Sequence, residues 1–255
     1  MLELDRIYHD DCLTGMEGIA DGTIDCIITD LPYGVLNKQS EGGRWDDVIP
    51  LEPLWRQFLR VAKEEAAIIL FSQGMFTAEI MKSQPAIWRY NIIWHKDNRP
   101  TGFLNAKVMP MKIHEDICVF YRRQPTYNPQ MTRGLPNHKR TTSSVQGQHG
   151  CYGAHHCTPS DMSGNKYPTD VIVFAKEHDD ERFHPTQKPV DLLRYLVLTY
   201  TDEGNTVLDA CMGSGTTAVA CVREKRHFIG FETDEDYYNK AKARIKTEMA
   251  QPTLF

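Results

Sequence analysis

Two short segments of this 255-residue chain combine residue types and spacings that can do chemistry. The first runs Thr206-Val207-Leu208-Asp209-Ala210-Cys211-Met212-Gly213-Ser214-Gly215-Thr216-Thr217-Ala218. An apolar run ends in an acid, and a Gly-x-Gly turn then feeds helix-compatible residues. Glycines let a backbone approach a ligand closely, and a helix N-terminus offers free N–H groups to an anion. A second apolar run, Phe228–Phe231, ends in Glu232, seventeen residues after Gly215. A carboxylate at that place can accept hydrogen bonds from two ribose hydroxyls. Read as Gly-x-Gly-x-x-Ala, the segment fits a dinucleotide fingerprint; a plain strand-to-helix turn fits it as well. Asp209 favours a different ligand, because an acid before the glycines repels a pyrophosphate and attracts an ammonium. An amino acid linked to a nucleoside meets all of these demands.

The second segment is Asp30-Leu31-Pro32-Tyr33-Gly34, which follows the apolar run Ile24–Thr29. An acid, a rigid proline and an aromatic ring at the end of a strand sit where open α/β sheets usually bind ligands. Pro and Gly also make ordinary turns, so the segment alone leaves both readings open.

These segments need a scaffold, and the hydrophobic pattern supplies one. Short apolar runs predict strands at Ile24–Thr29, Ala67–Phe71, Asn91–Trp94, Ile117–Tyr121, Val171–Phe174, Thr206–Asp209 and Phe228–Phe231. Helices are predicted at Leu54–Lys63, Val190–Tyr200 after Pro189, Thr216–Glu224 and Asp234–Met249. This alternation implies an α/β fold with a largely parallel, buried sheet. Only 23 residues follow Glu232, so most of the sheet must come from upstream of the glycine turn. That order is circularly permuted and unusual for a dehydrogenase.

With both segments present, the chain resembles the amino-methylating DNA methyltransferases that use S-adenosylmethionine, in their beta group. Their catalytic tetrapeptide is (Asp/Asn/Ser)-Pro-Pro-Tyr, and Asp30-Leu31-Pro32-Tyr33 departs from it only at Leu31. His9-Asp10-Asp11-Cys12-Leu13, Trp45-Asp46, Asn91–Lys96, His114-Glu115 and His184-Pro185-Thr186-Gln187-Lys188-Pro189 are similar to further family segments. The resemblance implies a Rossmann-like methyltransferase sheet with permuted motif order. It implies a catalytic half at 1–123, an inserted target-recognition region at 124–180 and a cofactor-binding half at 181–255. Asp30, Pro32 and Tyr33 are the implied catalytic residues, acting on the N6 amine of an adenine flipped out of the duplex. Asp30 and the Pro32 carbonyl would accept the amine hydrogens, and Tyr33 would stack on the base. For S-adenosylmethionine, Asp209, Gly213 and Gly215 would serve the methionine end. Thr186 and Lys188 would serve its carboxylate, Glu232 the ribose and Asp11 the adenine. The cytosine N4 amine is the alternative target, and a nicotinamide-dependent oxidoreductase the more distant one. The group implies double-stranded DNA as partner, homodimers in many members, and a bacterial or phage origin.

Composition agrees with an ordinary globular chain, at 41% hydrophobic and 25% charged residues. No run approaches the roughly 18 apolar residues of a membrane span. The N-terminus lacks the basic and apolar regions of a secretory signal, and seven cysteines show no disulfide-like spacing; a cytoplasmic protein is expected. The net charge of −5 taken alone disfavours a nucleic-acid binder. Between Tyr121 and His149, however, Arg122, Arg123, Arg133, Lys139 and Arg140 stand without one Asp or Glu, and this stretch is the expected DNA contact. His149, Cys151, His155, His156 and Cys157 follow none of the usual zinc spacings, so no metal is expected there.

Overall fold

The computed structural model describes residues 2–34, 46–135, 145–149, 153–157, 163–177 and 182–250, with side chains omitted for 145–149 and 153–157. The first elements are β1 (Arg6–His9), α1 (Cys12–Met16), β2 (Ile24–Asp30), α2 (Leu51–Val61), β3 (Ala62–Ser72), α3 (Met75–Ser83), β4 (Trp88–His95) and β5 (His114–Phe120). Four short strands follow: β6 (Thr132–Arg133), β7 (Val145–His149), β8 (Gly153–Cys157) and β9 (Asn165–Lys166). The chain continues as β10 (Val171–Val173), α4 (Val190–Tyr200), β11 (Thr206–Asp209), α5 (Thr216–Arg223), β12 (His227–Glu232) and α6 (Glu235–Ala250).

Eight strands form one sheet in the order β1-β12-β11-β2-β3-β5-β4-β10. Burial on both faces explains why its strands read as continuous apolar runs. In β3, Ala67, Ile69 and Phe71 face one core layer while Ala66, Ile68 and Leu70 face the other, the two-residue period of a strand. The first layer is closed by Leu192, Leu193, Leu196 and Val197 of α4 with Ala218 and Ala220 of α5. The second is closed by Met16 of α1, Leu54, Trp55 and Phe58 of α2, and Phe76 and Ile80 of α3.

The pairing is parallel except around β5, which runs antiparallel to both β3 and β4; the expected parallel sheet thus carries one reversed strand. The helix expected over Leu54–Lys63 starts at Leu51 and stops at Val61, where Ala62 turns to extended backbone (ψ 137°) and Lys63 joins β3. β1, α1 and α3 had no distinct signal, being short or weakly patterned.

Sheet order reverses between β11 and β2. From β11 the chain passes through α5 to β12 on one side, and from β2 through α2 to β3 on the other. Such a switch point opens a crevice at the C-terminal strand ends. Asp30, Asp209 and Glu232 end β2, β11 and β12, which are neighbours in the sheet.

Met1–Asn128 with Asp170–Phe255 forms one compact unit and Pro129–Thr169 a second. The second lies within the 124–180 segment. The flanks of that segment belong to the first unit, where Asn128 donates its backbone N–H to Thr199 O and β10 pairs with β4. Inside the second unit, β6 pairs with β9 and β7 with β8, both antiparallel.

Candidate active site

At the crevice two cavities meet. The first, of about 300 Å³, is lined by Asp11, Asp30, Pro32, His184, Thr186, Lys188, Asp209, Gly213 and Glu232 among others, and its size falls at the lower end of the ~300–1,000 Å³ of small-molecule sites. The second, of about 270 Å³, is lined by Asp30, Tyr33, Trp94, Lys96, Glu115 and Lys188 among others. Asp30, Thr186, Gln187 and Lys188 border both.

The glycine turn builds the first cavity. Gly213 takes φ +52° and Gly215 φ +76°, a left-handed backbone that side chains resist. The two differ in purpose. A Cβ on Gly213 would meet the His184 ring at 3.4 Å, whereas one on Gly215 would meet Ala241 and Ile245 of α6 at 3.2 Å. Gly215 therefore caps α5 and admits α6, and it does not line the cavity. The acids here are held by neutral donors. Asp209 accepts the Cys211 N–H at 3.1 Å and the Thr217 hydroxyl at 2.6 Å. Burial nevertheless pushes its pKa up to about 6. Glu232 accepts the Gly213 N–H at 2.7 Å and the Asp234 N–H at 2.9 Å, and burial raises it as well. Asp11 accepts from Leu13 and Thr14 N–H as the N-cap of α1.

The acids of the second cavity are held by lysines. Lys188 Nζ lies 2.6 Å from Asp30 Oδ2 and 3.2 Å from Glu115 Oε2, and Lys96 Nζ lies 2.5 Å from Glu115 Oε1. The Tyr33 hydroxyl donates to Asp30 Oδ1 at 2.7 Å. Burial pushes the Asp30 pKa up, with Lys188 pulling against it. Burial also acts to raise Glu115, yet Lys188 and Lys96 together hold it below the ordinary carboxylate value. Burial opposes the charge on Lys188, but Asp30 and Glu115 keep its pKa above the usual lysine value.

Several expectations change here. Lys188, expected at a cofactor carboxylate, lines the first cavity and pairs with Asp30 and Glu115. Thr186 borders the cavity, with its hydroxyl 3.2 Å from His184 Nδ1. Arg122 and Arg123 are not presented beside the site. Arg122 donates to Ala62 O and Lys63 O and pairs with Glu64, while Arg123 pairs with Glu65 at 3.7 Å. Ala62 pairs with Ile24, at the opposite end of β2 from Asp30; six positions of β2 are about 20 Å at ~3.3 Å per residue. Arg133 is exposed on β6. Lys139 and Arg140 lie outside the described residues, as do Trp45, Cys151 and the side chains of His149, His155, His156 and Cys157.

Glu115, Lys96, Asp46 and His184 carry parts that the motif reading left without a role. Buried Asp46 accepts the Tyr33 N–H at 2.9 Å and so fixes the Asp-Leu-Pro-Tyr turn. His184 packs under the glycine turn with its ring 4.3 Å from that of Tyr237, and burial lowers its pKa to about 4, keeping it neutral. All four belong to family-like segments far apart in sequence, and the fold sets His184 at the first cavity and Asp46, Lys96 and Glu115 at the second. Leu31, the departure from the family tetrapeptide, is 3% exposed and packs in the core layer beneath α2 and α3. It replaces one apolar residue by another at a buried place.

The DNA methylase family model (N6_N4_Mtase) matches residues 24–243. The chain belongs to the N6/N4 DNA methylase family. Among DNA methylases, it is 25% identical to the type II methyltransferase M.HpaI of Haemophilus parainfluenzae, covering 95% of this chain and 74% of that protein. It is also 25% identical to M.BglII of Bacillus subtilis, covering 93% and 68%. The structure of M1.HpyAVI with SAM superposes with a TM-score of 0.63 at 22% identity, covering 94% and 98% of the two chains. The PvuII cytosine-N4-specific DNA methyltransferase gives 0.65 at 13% identity, covering 95% and 90%. The sheet is thus a Rossmann-like methylase sheet. In this DNA methylase the Asp-Leu-Pro-Tyr turn and the glycine turn, 179 residues apart between Asp30 and Asp209, end adjacent parallel strands. No helix among the described residues is long and apolar enough to cross a membrane.

Proposed function

We propose that this DNA methylase transfers a methyl group from S-adenosylmethionine to the N6 amine of an adenine turned out of the duplex. The observation that carries the reading is the position of Asp30, whose carboxylate borders both cavities and divides the glycine-turn side from the Tyr33 side.

The residues of the first cavity fit S-adenosylmethionine. Asp209 meets only neutral donors, so its charge is left to attract an ammonium, and Glu232 stands at the strand end suited to a ribose. Gly213 leaves room beside them, and Asp11 lies at the adenine end. When bound, the cofactor supplies an electrophilic methyl group on a positively charged sulfur.

On the other side the task is to make a poor nucleophile better. The exocyclic amine is weak because its lone pair is delocalised into the ring. A carboxylate accepting one amine hydrogen, and the Pro32 carbonyl accepting the other, favour a tetrahedral nitrogen with its lone pair exposed. Asp30 has about four acceptor positions, and Lys188 and Tyr33 occupy two of them. The nearby ammonium opposes the effect of burial on Asp30 and so favours the ionised form, which accepts. Tyr33, tied by its hydroxyl and its backbone N–H, offers a fixed ring for a base to stack on. The gain is chiefly one of positioning.

The unit Pro129–Thr169, with exposed Arg133, is the target-reading insert in this proposal, and steeply salt-dependent binding to double-stranded DNA is its signature. Cytosine N4 is the second reading, favoured by the likeness to the PvuII enzyme; an aspartate at position 30 favours adenine. Expression in a host without its own DNA methylation, followed by modification-sensitive sequencing, decides between them. Methyladenine at a recurrent motif is expected. Methylcytosine would transfer the assignment to N4, and unmodified DNA from a folded, cofactor-binding protein would overturn both.

A further inference from the structure

The loop between β4 and β5 combines features that a solvent-facing loop has no need of. Phe103, Leu104 and Val108 are 75%, 84% and 82% exposed, and Met109 and Met111 are also exposed. Soluble surfaces scatter such residues singly and seldom gather them. The loop is also ordered by its own hydrogen bonds. Thr101 and Lys112 exchange backbone bonds at its neck (2.7 and 2.9 Å), and Asn105, Ala106, Val108 and Met109 donate N–H groups to carbonyls within the tip. Its residues from Asn98 to His114 include Arg99, Lys107 and Lys112 and no acid.

Position gives these features a meaning. Thr101 and Gln73 line the second cavity, and Lys112 Nζ donates to Gln73 Oε1 at 2.9 Å. The loop is therefore anchored at the rim of the chamber assigned above to the flipped base, with its apolar tip directed away from the core. Extrusion of a base leaves a hole in the stack that water fills poorly. Apolar side chains inserted at a base step are a known physical answer to such a gap, and flanking cations answer the phosphates beside it.

We propose that the tip of this loop, Phe103 and Leu104 foremost, enters the DNA stack and holds the space left by the target base. The inference rests on the DNA-methylating reading and names its partner surface as duplex DNA. The charge of the loop and its continuity with the base chamber favour DNA over a second copy of this chain.

The test uses the full-length protein and a duplex carrying the motif found by sequencing host DNA. Phe103→Ser combined with Leu104→Ser removes two exposed side chains and should leave the fold and cofactor binding unchanged. Methylation of the fully paired duplex should fall by about tenfold or more, and by less than about twofold when the target base faces an abasic position that needs no unpairing. Equal loss on both substrates, or loss on neither, overturns the proposal. So does a wild-type dimer that the double variant converts to monomer in sedimentation, since the patch would then be a contact between copies. A wild type that modifies no DNA fails the functional reading itself, a result visible before any variant is compared.

Discussion

The two cavities satisfy their acids in opposite ways. On the glycine-turn side, Asp209 and Glu232 are held by backbone N–H groups and a hydroxyl, which carry no net charge. On the Tyr33 side, Asp30 and Glu115 are held by the ammonium groups of Lys188 and Lys96. Neutral donors leave a local negative charge, which suits a cationic ligand. Ion pairs leave the charge near balance, which suits a neutral one. In the proposed function the same residue type would serve a positively charged methyl donor on one side and an uncharged amine on the other.

The severest challenge to this contrast is Asp30→Ala. Transfer should drop by about 10³ or more, as for loss of a group that acts mainly in the transition state, while cofactor affinity changes by less than about twofold. Equal loss of both in titration and single-turnover assays would erase the division between the cavities. Lys188→Met comes next. It strands Asp30 and Glu115 without their shared cation, so stability should fall by about 3–5 kcal/mol. It also removes the charge that lowers the Asp30 pKa, so the acid limb of the pH profile should move to higher pH. An unchanged profile would mean that Lys188 serves the cofactor after all.

The Asp209 carboxyl offers a gentler test. Its pKa is raised from 3.8 to about 6 by burial, so the folded protein retains a proton that the unfolded chain releases. Its contribution to stability is full below pH 3.8 and is lost as pH rises to about 6. Binding of a cationic ligand needs the ionised form, so the dissociation constant should fall about tenfold per pH unit on approaching 6 and level off above it. Asp209→Asn should flatten that curve in calorimetric titrations. The smallest effect is expected from Arg122→Ala and Arg123→Ala. Set at the far end of β3, they should leave DNA affinity and its salt slope unchanged; a reduced slope would return them to the DNA surface.

The residues at strand ends could be read in advance because each follows an apolar run that announces its strand: Asp30 after Ile24–Thr29, Asp209 after Thr206–Leu208, Glu232 after Phe228–Phe231. Sequence distance hid the rest. Nothing in the spacing of Lys96, Glu115 and Lys188 predicts a chain of ion pairs, because β4, β5 and the segment before α4 meet only through the sheet. A basic residue before a nucleotide-type turn suggests a ligand carboxylate, and only the fold shows a protein carboxylate already within reach. Arg122 and Arg123 are a parallel case. An acid-free stretch of sequence says nothing of Glu64 and Glu65 on a neighbouring strand.

The β11–β2 pairing also has a consequence for how the enzyme comes into being. The Thr206 N–H donates to Asp25 across 181 positions of sequence, and the Cys211 N–H to Thr29 across 182. A ribosome adding roughly 5–20 residues per second therefore exposes Asp30 many seconds before the strand that completes its setting exists. β1 waits longer still for β12. An interrupted translation product would carry Asp30 without the glycine turn, and so would lack the first cavity. Assembly of the centre of the sheet thus waits until synthesis has passed β11.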